Sequence, residues 1–120
     1  MRKFIICLVL AVMAVFSLSA DEVLKTKTEY WYGGSLQVDV KLVKFEEDYY
    51  AVFWVYKNGL NMIDMFPYTS LSDANILWNY SSPAVNRKLY KSMLEKASEE
   101  DAKELGIKPG LCALNVYYID

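Results

Sequence analysis

Residues 49–56, YYAVFWVY, place eight side chains in a row without a charge, five of them aromatic. Aromatic and β-branched residues over this length read as a β-strand, and continuous apolarity puts the strand inside a sheet. Both of its faces are then buried, or one is kept for a partner. The flanking turns fix its neighbours. Asn58-Gly59 lies between two apolar runs, and a two-residue turn there sets Lys57 opposite Leu60. Upstream, the acidic break Glu46-Glu47-Asp48 sets Phe45 opposite Tyr49, and Gly33-Gly34-Ser35 supplies a three-residue loop with Tyr32 opposite Leu36.

Counting outward from these turns gives a four-stranded antiparallel meander over residues 23–66. An inner face collects Tyr30, Tyr32, Leu36, Val38, Val40, Leu42, Tyr50, Val52, Trp54, Tyr56, Ile63 and Met65. The outer face is mixed: Trp31, Phe53, Val55, Met62 and Phe66 stand among charges that include Lys41 and Asp64. A face turned only to water alternates more cleanly toward polar residues, and an apolar patch rimmed by charge marks an interaction surface.

The segment opened by Pro67 reads as a loop, with a short strand at NILWNY. Ser82 and Pro83 then suit the cap and first position of a long helix, in which Val85, Leu89, Tyr90, Met93, Leu94 and Ala97 recur at helical spacing. A short helix follows from Ser98 to Gly106, its first turn rich in acidic side chains that complement the helix dipole. LCALNVYYI is a final strand. The expectation is therefore an α+β domain: a four-stranded antiparallel meander, one long and one short helix, and a C-terminal strand, with the helices packed on one face of the sheet.

The chain begins with Arg2 and Lys3, an apolar stretch from Phe4 to Phe16, and small residues before Asp21. That is the layout of a secretory signal peptide over residues 1–20, shorter than a spanning helix, and it leaves a single small domain over 21–120. The expected product is exported, periplasmic or secreted, with no stable membrane anchor after cleavage. It keeps 11 basic and 15 acidic side chains, a formal charge of −4, which disfavours nucleic acid. Cys112 is then the sole cysteine, and in an apolar run it reads as a small buried hydrophobe.

No histidine occurs, which removes the commonest general base and metal ligand, and no catalytic residue, metal site or cofactor is assigned. The leading expectation is an exported binding domain whose protein partner meets Trp31, Lys41, Phe53, Val55, Met62, Asp64 and Phe66. A glycan is a second candidate ligand for the aromatic residues. Two alternatives stand beside it: a homodimeric structural envelope protein without a separate ligand, and a small hydrolase using carboxylates drawn from Glu29, Asp39 and Asp64. Asn79 heads an NYS sequence, the acceptor pattern for N-glycosylation.

Overall fold

A computed structural model describes residues 22–45, 49–59, 61–80 and 83–119. The expected signal segment 1–20, the acidic break 46–48, Leu60 and the Ser82 cap lie outside the described residues. The chain runs β1 (Glu22–Trp31), β2 (Leu36–Lys44), β3 (Tyr50–Lys57), β4 (Asn61–Tyr68), α1 (Leu71–Asn79), β5 (Arg87–Ala97), α2 (Glu99–Leu105) and β6 (Gly110–Ile119). The six strands form one mixed sheet in the order β1-β2-β3-β4-β6-β5. Only β4 and β6 are parallel; α1, β5 and α2 make up the connection between them. Among the described residues no helix is long and apolar enough to cross a membrane.

This architecture corrects the expected fold class. The sheet has six strands instead of a four-stranded meander with one more strand, and the long helix expected after Pro83 is the eleven-residue strand β5. Its apolar residues do recur at helical spacing, but an antiparallel partner in β6, from Arg87↔Ile119 to Ala97↔Gly110, satisfies its backbone in extended form. The segment after Pro67, expected as loop and short strand, is helix α1, with the Ser70 side chain accepting from the Asp73 N–H at 3.4 Å. Pro67 itself belongs to β4 and pairs with Ala51. The β4–β6 pairing ends at Met65↔Val116, so no ladder bond to β6 is lost at the proline.

The two helices lie on opposite faces, not one. On the first face Trp31, Val38, Val40, Leu42, Val52, Trp54 and Phe66 form a core with Ala74 and Leu77 of α1. Lys27 of β1 ties α1 down: its Nζ donates to the Trp78 carbonyl at 2.7 Å and sits 4.1 Å from the centre of the indole. On the second face Val43, Phe45, Ala51, Phe53, Val55, Ile63 and Met65 form a core with Leu105 of α2 and with Cys112, Leu114 and Val116 of β6. Strand β3 lies between β2 and β4 with both faces covered, which accounts for the uncharged run that begins at Tyr49.

Two turns differ by one residue from expectation, and each difference turns a strand over. Trp31, not Tyr32, pairs with Leu36, because Tyr32, Gly33 and Gly34 all take positive φ in a four-residue connection. Lys57 pairs with Asn61 across residues 58–60, with Gly59 at φ 84°. A one-residue slip sends every side chain of a strand to the other face. The expected outer-face patch is therefore divided: Trp31, Met62, Asp64 and Phe66 stand on the α1 face, while Lys41, Phe53 and Val55 stand on the α2 face.

Candidate functional site

Helix α1 covers only part of its face. Beside it, toward the 32–35 and 58–60 turns, the sheet is open in a cleft of about 240 Å³ lined by Trp31, Tyr32, Leu36, Tyr56, Asn58, Met62, Asp64, Arg87, Asn115 and Tyr117. All six strands contribute to this lining, so most of its side chains are fixed by ladder pairing and only Tyr32 and Asn58 come from turns. The walls are aromatic. Trp31 meets Trp54 edge-on at 5.0 Å and Tyr56 at 6.0 Å, and Tyr117 stacks on Phe66 at 5.7 Å. Each ring is thus held by a second ring below or beside it.

An ion pair between a buried carboxylate and a partly exposed guanidinium crosses the cleft. Arg87, the first residue of β5, places Nη1 2.8 Å from Asp64 Oδ2 and 3.2 Å from the Tyr56 hydroxyl oxygen. Its guanidinium carbon lies 4.9 Å from the centre of the Tyr117 ring and 5.1 Å from that of Trp54. The Tyr56 hydroxyl donates to Asp64 Oδ2 at 2.5 Å, and Asn115 Nδ2 donates to Oδ1 at 3.3 Å. Asn115 is itself positioned by Ser92, whose hydroxyl donates to its Oδ1 at 2.6 Å. One carboxylate on β4 thus gathers donors from β3, β5 and β6.

Burial raises the Asp64 carboxyl above its ordinary range, while Tyr56, Arg87 and Asn115 act against the rise by donating to the ionised form. Burial and the nearby Asp64 charge also raise the Tyr56 and Tyr117 hydroxyls, and Tyr56 donates to Asp64. Burial disfavours the Arg87 charge, yet its contacts with Tyr56, Asp64 and Tyr117 outweigh that and hold its pKa above the usual arginine value. Three donors on two oxygens favour the ionised form of Asp64, and in that form the pair with Arg87 adds no net charge to the cleft.

Of the seven expected contact residues, the cleft brings together Trp31, Met62 and Asp64. Phe53, Val55 and Phe66 have no exposed side chain and are core. Lys41 lies on the other face, where burial, the largest influence, lowers its pKa. Tyr56, Arg87, Asn115 and Tyr117 escaped the sequence reading. The signal available for them was weak: a lone asparagine in an apolar final strand, and an arginine shortly after Pro83 in the segment expected as a long helix.

The carboxylates considered for hydrolysis do not converge. Asp39 is on the α2 face, 3.5 Å from Lys57 and accepting from Thr28 at 3.0 Å, whereas Glu29 pairs with Lys27 at 3.1 Å and accepts from the Trp31 indole at 3.0 Å. Asn79 is exposed at the end of α1. A second hollow, between α1 and the end of β6, is lined by Tyr68, Ile76, Leu77, Tyr80, Val85 and Ile119 with Asp73 as its one charged side chain, and lacks any comparable polar cluster. No protein-family model, curated protein or solved structure matches the chain.

Proposed function

We propose that this chain is a small exported binding domain that seats part of a protein partner in the cleft between Trp31 and Tyr117, residues 1–20 being removed as a signal peptide. The observation that carries this reading is the convergence of aromatic walls and amide side chains on a hydrogen-bonded ion pair. Tryptophan, tyrosine and arginine dominate binding energy at protein contacts and methionine is enriched there, and five strands of the sheet present these residue types together here.

Size favours a side-chain anchor over a free small molecule. Pockets for drug-sized ligands occupy roughly 300–1,000 Å³. At about 240 Å³ the cleft suits one or two inserted side chains of a partner. Affinity capture from an envelope extract tests this, comparing wild type with a Tyr32→Ala/Asn58→Ala variant that alters the rim and spares the core. A partner retained by wild type and lost at least in large part by the variant supports the proposal. Equal retention by both places the contact elsewhere.

A further inference from the structure

The outer edge of the sheet is β5, which pairs with β6 on one side and has no strand partner on the other among the described residues. An unpaired edge of eleven residues presents a row of backbone donors and acceptors, and proteins ordinarily blunt such an edge with charge. Strand β5 carries such charges, four basic and one acidic, yet it also leaves Leu89 52 % and Leu94 72 % exposed.

A bulge gives these residues a shared side. The pairing passes from Leu89↔Tyr117 directly to Lys91↔Val116, so Tyr90 is an extra residue in β5. In a regular strand Leu89 and Leu94, five positions apart, would point to opposite faces. Their partners Tyr117 and Ala113 are four positions apart, which puts both leucines on the α1 face. The same bulge puts Lys88, opposite Tyr118, and Glu95, opposite Cys112, together on the α2 face.

We infer that two copies of this chain associate by antiparallel pairing of β5 with β5 about a two-fold axis at Ser92, joining the two sheets into one. In that register Ser92 faces its own copy and Lys91 faces Met93 of the second copy. Beyond the bulge Leu89 then meets Leu94, and Lys88 meets Glu95. Every opposed pair lies on a common face. Symmetry doubles each contact, giving two apolar pairs on one face and two ion pairs on the other. Arg87 and Lys96, also opposed, are the unfavourable pair, but the Arg87 charge is turned inward to Asp64 of its own copy. The self-complementary register depends on the bulge, because without it neither pair would share a face. This association does not rest on the cleft having a ligand.

Sedimentation of the purified protein over a range of concentrations tests the inference, using Lys88→Glu, Glu95→Lys, the double exchange and Leu94→Lys, with circular dichroism to verify folding. Wild type is expected to dimerise. Each single charge change should weaken the dimer by about tenfold, since two ion pairs become like-charge contacts, and Leu94→Lys should abolish it. The double exchange should return association close to wild type. A wild-type protein that stays monomeric throughout, or a double exchange no better than the single changes, overturns the proposal.

Discussion

The Arg87 guanidinium lies 2.8 Å from the Asp64 carboxylate and joins the start of edge strand β5 to the middle of β4. Asp64 is almost wholly buried, so removing its partner leaves a charge that water does not reach. Arg87→Met should lower stability by about 2–4 kcal/mol at neutral pH, somewhat less than the ~3–5 kcal/mol for breaking a fully buried pair, because the Arg87 side chain is 30 % exposed. Combining it with Asp64→Leu should recover part of that loss, because an apolar pair strands no charge. Urea unfolding of the two variants checks both statements, and a double variant less stable than Arg87→Met contradicts them.

The pH dependence of stability follows from the same residue. Because burial raises the Asp64 carboxyl, the folded protein keeps a proton that the unfolded chain has already released. Its contribution is fully present below the ordinary carboxyl range and is lost as pH rises through the raised value. Wild type should therefore lose stability relative to Asp64→Asn as pH climbs through the window just above that range. Unfolding midpoints measured for both proteins across the window decide it; a gap that moves the other way would mean that the Arg87 pair outweighs burial.

Phe53 belongs to the core. It is fully buried beneath the α2 face, with its ring 6.0 Å from that of Phe45. Phe53→Ala should cost about 3–5 kcal/mol. Phe53→Asp should prevent folding outright, because it buries an unpaired carboxylate. Circular dichroism with urea titration distinguishes this from a contact residue, whose replacement would leave stability nearly unchanged.

The four hairpin strands, the pairing of β2 with β3, the short helix after Ser98 and the final strand were all legible, since turn residues and alternation act locally. What local pattern does not fix is the phase across a turn. Tyr32 at φ 53° extends the first connection by one residue, and the 58–60 connection is one residue longer than Asn-Gly alone requires. Those two slips hid the cleft, because they assigned Trp31, Met62 and Asp64 to the wrong side of the sheet. Strand β5 was hidden differently. Its bulge at Tyr90 breaks strict alternation, and the remaining apolar spacing imitates a helix until β6 is there to pair with it.

Cys112 should be inert in the folded protein. Burial, reinforced by the Glu95 charge, pushes its thiol up to about 11, and almost none of the residue is exposed. A thiol reagent at mildly alkaline pH should label the native protein far more slowly than the urea-unfolded chain. Equal labelling rates would show that the α2 face opens readily.

The cleft is tested most directly by two neighbouring tyrosines of nearly equal exposure. Tyr32, 69 % exposed, stands at the rim of the cleft, while Tyr30, 66 % exposed, belongs to the opposite face of β1. A photoreactive phenylalanine analogue placed at either position in the producing cells should capture a neighbour in proportion to contact, not to exposure. Cross-linking to a defined protein from position 32, with little or none from position 30, is the expected result. Equal products from both positions, or a product from position 30 alone, would contradict the assignment of the cleft as the binding site.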